Sequence, residues 1–432
     1  MTIWGLVALG AALPTQASAA PALLAHQAPL AIDAAATGWI LVSTALVLMM
    51  TLPGLALFYG GMVRKKNIIS TIAHSAASFM VVTVLWFVVG YSLSFGVSGE
   101  PTNGFIGGFQ ALFLNGVTIE TAHSLAPGLP EYLWIAFQLT FAIITPAIIA
   151  GAFAERMKFS ASVLFFALWH LIVYAPICHQ VWGGGWLGGW GVLDFAGGAV
   201  VHVNAGVAGL VCALVLGPRH GFGRDNMAPA NLAYAAIGTG LLFVGWLGFN
   251  AGSAWAADGI AAVAALNTIL APAAAAFGWM VVEWIDQKRP TLLGLLSGLV
   301  GGLVAVTPAA GFVDPKGAFL IGLVGGPACY AGSVWLKRAL KYDDSLDAFG
   351  IHGVGGIVGA VLTGLLASAS INGLSEGADV VKQILGLLAV IAWSAVGTWI
   401  VLVVCRFTTG LRVDRDGEIE GLDYSQHGES IH

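Results

Sequence analysis

The stretch DFAGGAVVHVNAG, Asp194 to Gly206, puts a histidine in the middle of a segment that otherwise reads as membrane. Before it runs HQVWGGGWLGGWGVL, and after it the apolar VAGLVCALVLG. Asp194 stands two turns ahead of His202. There its carboxylate can accept the free N–H groups of a first helical turn and meet the positive end of the helix dipole. The bland role for Asp194 is a structural cap; the sharper one is direct contact with a solute.

Working outward, the 432 residues are 58% hydrophobic and 9% charged, against about 25% charged in soluble domains. That apolar surplus has to face lipid. The 59 glycines recur inside apolar runs, which suits close helix packing in a bilayer. A net charge of −5 without a basic patch argues against a nucleic-acid partner. Cys178, Cys212, Cys329 and Cys405 lie far apart, with no metal or disulfide spacing, and read as packing thiols.

Membrane-length runs are predicted near 37–62, 68–95, 130–153, 159–178, 196–217, 229–250, 259–284, 291–312, 317–336, 348–368 and 381–405. The fold class is therefore an all-α polytopic membrane protein with eleven transmembrane helices. Residues 1–20, MTIWGLVALGAALPTQASAA, read as a signal peptide cut after Ala19 or Ala20, although the usual basic start is missing. Arg64, Lys65, Lys66, Arg156, Lys158, Arg219, Arg224, Lys288, Arg289, Lys337, Arg338 and Lys341 fall in every second loop, and Arg406, Arg412 and Arg415 begin the tail. Only Lys316 and Lys382 fall opposite. The positive-inside rule puts the basic loops and the tail in the cytoplasm and the amino terminus outside.

The histidine helix has a counterpart. VHVNAGVAGLV from Val201 matches IHGVGGIVGAV from Ile351, both reading His-x-x-x-Gly-x-x-Gly. GLALFYGG in the first run echoes GWLGFNAG in the sixth, aligning Phe58 with Phe249, and ITPA at Ile144 echoes VTPA at Val306. All three pairs are five helices apart. An odd offset makes the chain two five-helix inverted repeats plus one extra C-terminal helix, with a pathway on the pseudo-two-fold axis at mid-membrane. The symmetry brings His202 and His352 together there. Two neutral imidazoles can share one hydrogen bond and offer their other edges to a small polar solute or a proton. Packing histidines are the plain alternative, but an ionisable group inside a membrane is costly and points to function. No carboxylate or cysteine on these helices completes a metal set. Trp182, Trp186 and Trp190 form either an interfacial belt or a cage for a cation.

The chain from about residue 37 onward resembles the ammonium transporter family (Amt, methylammonium permease and Rhesus proteins), its bacterial Amt type most of all. The likeness lies in TLPGLALFYGG, IAFQ, GAFAERMKFSA, VWGGG, LDFAGGAVVHVNAG, GWLGFNAGS, VTPAAGF and DAFGIHGVGGIVG, in that order. The resemblance implies a transmembrane domain over 37–406 and a cytoplasmic regulatory tail over 407–432. It implies a homotrimer in the cell inner membrane, serving nitrogen uptake without a cofactor, and no enzyme. An outer vestibule would gather ammonium at Phe137, Trp182 and Ser253. Phe141 and Phe249 would gate a hydrophobic pore, His202 and His352 would line it, and Asp194 would be structural. Ammonium would give up its proton and pass as ammonia, with or without a separately moved proton. Trp182 points to Amt rather than Rhesus proteins.

His74 and His170 depart from the family pattern and read as packing or lipid-interface residues. Thr145 and Pro146 also depart from it, and Pro146 is expected to bend the third helix. By composition the tail is a solvated, disordered end, but GLRV and EGLDYSQHGE resemble the family's cytoplasmic tail. The resemblance adds a cytoplasmic P-II-type signalling protein that plugs the pore exit. Two rival classes are an ammonium sensor, which usually carries an added signalling domain, and an intramembrane enzyme, for which no nucleophile motif is present.

Overall fold

The structure is a computed structural model that describes residues 32–96 and 104–431. The expected signal peptide at 1–20 lies outside the described residues. Ten helices among the described residues are long and apolar enough to cross a membrane. They are α1 (Ala34–Met62), α2 (Lys65–Phe95), α3 (Glu131–Phe153), α4 (Phe159–Trp190), α5 (Gly198–Leu216), α6 (Leu232–Gly252), α7 (Gly259–Gln287), α9 (Pro315–Leu340), α10 (Phe349–Leu366) and α11 (Val380–Thr408). Between α7 and α9 lies α8 (Leu292–Val306), apolar but only 15 residues long.

The expectation of eleven full-length crossings is therefore met by ten helices and a shorter one. Pro308 stands just past its last residue, Val306. The Thr307 N–H tightens onto the Val304 carbonyl at 3.2 Å, and the chain leaves as turns. Its repeat counterpart behaves differently. α3 runs unbroken through Pro146, with the Thr145 hydroxyl donating to the Phe141 carbonyl at 2.6 Å.

No sheet forms among the described residues; two isolated bridges, Ala122 with Pro130 and Met157 with Arg412, are the extent of β pairing there. The repeat is visible in the packing. α3 packs on α5 and α8 packs on α10, while α1 meets α6 and α5 meets α10 as repeat mates. The first turns of α5 and α10 are π-helical, over Gly198–Val203 and Phe349–Gly353. The His202 N–H reaches five residues back to the Gly197 carbonyl at 3.0 Å. Such wide turns recur at functional sites because they re-aim a side chain.

Glycine sets the crossing of α5 and α10. A Cβ on Gly206 would overlap the Gly353 backbone, and one on Gly356 would lie 2.9 Å from the Gly198 carbonyl oxygen. Each glycine sits four residues after its histidine, one turn further along the same face. The glycines of the repeated motif are thus what allows two histidine-bearing backbones to touch.

The loops grouped by their lysines and arginines meet at one end of the molecule. Glu155 bonds Arg64 and Arg219, and Asp343 holds Arg219 at 2.8 Å. Burial pushes the Asp343 carboxyl up, but the Arg219 guanidinium outweighs it and holds the group below its ordinary value. The tail is docked on these loops, against the reading from composition. α12 (Arg415–Glu420) and α13 (Leu422–His427) follow an extended stretch in which Lys158 donates to the Leu411 carbonyl and Val413 to that of Arg156. Glu418 is buried between Arg412, at 2.7 Å, and the His220 N–H, at 2.5 Å.

Candidate functional site

Asp194 closes the entrance of α5. One carboxylate oxygen accepts the Gly197 and Gly198 N–H groups at 2.9 and 2.6 Å, and the other those of Ala199 and Val200 at 2.9 and 3.0 Å. Burial raises its pKa even against these four bonds. With both oxygens turned to the backbone, the side chain faces the helix rather than open space. Its main-chain carbonyl accepts the Trp182 indole N–H at 2.8 Å, which fixes the tryptophan beside the helix start.

Trp182 and Ser253 line a cavity of about 460 Å³. Trp186 and Trp190 turn outward instead, stacked on each other at 6.4 Å with their rings about two-fifths exposed. Phe137 is fully buried below this cavity rather than on its wall, its ring 5.0 Å from that of Phe141. The Ser253 hydroxyl donates to the Phe249 carbonyl at 2.8 Å.

From Trp182 the rings form a continuous column. Phe141 meets Trp182 edge-on at 5.8 Å and Phe249 at 4.3 Å, and Phe249 in turn lies 5.9 Å from His202. The two histidines follow, Nδ1 to Nδ1 at 3.1 Å, both buried. One of the pair must donate and the other accept. In neutral tautomers one Nε2 is then an acceptor and the other a donor. His202 Nε2 has no partner among the described residues, an open valence in an apolar wall. Phe58, the repeat counterpart of Phe249, stands outside this column, its ring contact being with Tyr59.

Two contributors went unread in the sequence. Trp246 stacks on His202 at 5.2 Å, and its indole donates to Thr307 at 2.9 Å, so the His202 ring is held from behind. The signal was its place one turn before Phe249 on the same helix face. Asp344 is the second. It lies eight residues before His352, as Asp194 lies eight before His202. It caps α10 in the same manner, accepting the Ala348 and Phe349 N–H groups at 3.1 and 2.8 Å. Burial and the neighbouring Asp347 push its carboxyl up to about 6.

His74 and His170 are buried inside the protein and away from the column. The first lies among Phe153, Phe159 and Phe166, the second between Trp86 and Tyr174. Among the described residues no group of three or more His, Cys, Asp or Glu side chains could hold a metal ion.

Comparison with known proteins matches this arrangement to one family. The Ammonium Transporter Family profile spans residues 38–431. The chain belongs to the ammonium transporter family. It is 46% identical over 399 residues to an ammonium transporter of Bacillus subtilis, covering 90% of this chain and 96% of that one. An Aquifex aeolicus ammonium transporter is 48% identical over 407 residues, covering 93% and 94%. Among solved structures, Saccharomyces cerevisiae Mep2 superposes with a TM-score of 0.83 at 37% identity, covering 89% of this chain and 88% of that one. A protein described as a sensor Amt protein gives the same TM-score at 29% identity, covering 91% and 98%. The family is one of multi-pass membrane transporters, not of enzymes.

Proposed function

We propose that this chain takes up ammonium by passing a proton from the cation to water in the outer cavity and conducting ammonia through the ring column. Trp182 and Ser253 gather the ion, with Phe137 supporting Phe141 from behind. Phe141 and Phe249 part to admit the neutral species, and His202 and His352 carry it inward. The observation that supports this most is the unbroken series from Trp182 through Phe141 and Phe249 to the paired imidazoles, ending in an unpartnered Nε2.

The physical reason for deprotonation is the bilayer. A charge at mid-membrane costs from about 3 to over 10 kcal/mol. The rings from Trp182 through Phe141 to Phe249 carry no formal charge to offset that cost. Ammonium escapes it by releasing a proton, which potassium cannot do, so selectivity follows from acid–base chemistry rather than ionic size. The donor and acceptor edges of the histidine pair match a molecule that has both an N–H and a lone pair.

In this reading the protein is a homotrimer of the cell inner membrane. Its amino terminus is outside, and its basic loops and tail are in the cytoplasm. A P-II-type signalling protein binds that face and closes the pore exit. The Asp194 cap is structural, since all four of its bonds go to backbone N–H groups.

The test is internal pH and current in liposomes holding purified protein after an ammonium jump, beside a potassium jump of equal size; ammonia entry raises the internal pH, and a separately moved proton adds a current. Ammonium alone is expected to evoke uptake. Replacing His202 or His352 is expected to abolish uptake or to admit potassium as well. Equal potassium flux through the unaltered protein overturns the selectivity argument, and unchanged currents without either histidine remove the pair from the route.

A further inference from the structure

At the end of the molecule that carries the tail, a cavity of about 390 Å³ opens between the loop after α5 and the segment leading into α12. Its wall includes Arg219, His220, Arg224, Arg412, Arg415 and Glu418. The arginines divide into two kinds. Arg219 is spent on Asp343 and Glu155, and Arg412 on Glu418 and the Leu216 carbonyl at 3.0 Å. These two are fixed posts. Arg224 and Arg415 are exposed, and among the described residues their guanidinium groups have no hydrogen bond or ion pair. The sole carboxylate on the wall, Glu418, has both oxygens already bonded, by Arg412 and the His220 N–H. The cavity is thus lined by two unspent guanidinium groups, one from the loop and one from the tail, and by an acid whose oxygens are already bonded.

The geometry points to a binding site for a phosphate group in this cavity, held between Arg224 of the loop and Arg415 of the tail. Guanidinium forks match phosphate oxygens in geometry and charge, and two lining one cavity can share one dianion. An occupant bridges the loop to the tail, so binding and tail docking strengthen each other. The phosphate can arrive on a small soluble molecule or as a lipid head group; the recognising chemistry is the same. The site is remote from the ring column, and the inference does not rest on the transport reading.

The probe is inorganic phosphate titrated against the full-length protein in detergent at constant ionic strength, with binding read by phosphorus NMR and tail docking by amide exchange over 412–427. Saturable binding of one phosphate per chain is expected, with slower exchange across the tail. An Arg224→Gln, Arg415→Gln double variant is expected to bind at least about tenfold more weakly. Both residues are exposed and unpaired, so its ammonium uptake in phosphate-free buffer should equal the wild type's. A second arm compares nanodiscs of phosphatidylcholine alone with others containing phosphatidic acid. Equal phosphate binding by wild type in both assigns a soluble source. Weaker phosphate binding in the second than in the first assigns a competing head group. Equal affinity in the variant, or a response that potassium chloride reproduces, overturns the proposal.

Discussion

Replacing Gly206 with alanine tests whether glycine is what lets the two histidines meet. The added Cβ would lie 3.0 Å from the His352 carbonyl carbon and closer still to the Gly353 backbone. The nearest obstacles, the Gly353 N and Cα, lie at 2.2 and 2.4 Å, against an ordinary contact of about 3.5 Å, so the two helices must part by about 1 Å or more. Neither side can swing aside, since both obstacles are main chain. The Nδ1 atoms, 3.1 Å apart in the native crossing, then stand at about 4 Å, beyond hydrogen-bond reach. Overpacking costs about 1–3 kcal/mol, and the lost bond between buried groups about 1 kcal/mol more. A stability loss of about 2–4 kcal/mol is expected, with ammonium current down tenfold or more. Two controls grade the effect. Gly209→Ala meets the Ala152 and Ala348 methyls at 3.1 and 3.2 Å and should be milder, while Gly240→Ala meets nothing within 4 Å. The assay pairs thermal unfolding with proteoliposome currents. Gly206→Ala behaving like Gly240→Ala in both would refute the crossing argument.

Asp194→Ala removes an acceptor of four N–H bonds and Asp344→Ala an acceptor of two. Each should lower the unfolding midpoint, the first more than the second, with losses starting at the roughly 1 kcal/mol of an ordinary cap; equal losses would argue against a capping role. Asp343 is held below its ordinary pKa by Arg219. Its contribution is therefore full above about pH 4 and is lost as pH falls from there through the folded-state value. Thermal unfolding followed from pH 6 to 3 should show that loss in wild type (about pH 4 and below) and a flatter profile in Asp343→Asn. Glu418→Gln weakens the charge-assisted bonds to Arg412 and the His220 N–H. Amide exchange over the tail should quicken by about tenfold, and exchange left unchanged would move the anchoring of the tail elsewhere.

Much of this was legible in the sequence, because in a bilayer local pattern nearly is structure. Every backbone group must be satisfied within its own segment, so apolar length alone located the helices from Ala34 to Thr408. The repeated His-x-x-x-Gly paired His202 with His352 before any coordinate was known, and Asp194 was placed at its helix entrance by spacing. Hydropathy placed α8 but not its end, because the apolar run continues past Val306 while the helix stops there. Composition alone misreads the tail, because it counts charges but not their partners: Glu418 and Asp423 are buried.

Sequence alone determined the membrane class, the order of the helices, the two-fold repeat and the identity of the paired histidines, since each follows from period, spacing or charge along one chain. Tertiary structure decided which rings line up between Trp182 and His202, and that Phe58 stays out of the line while its counterpart Phe249 joins it. It also decided that Trp246 braces His202 and that two arginines near the tail are left unpaired. Those outcomes depend on where separate helices cross and which side chain fills the gap. Contacts between residues 50 to 200 positions apart, such as Trp246 with Thr307 and Arg412 with Leu216, leave no periodic trace in the sequence that encodes them.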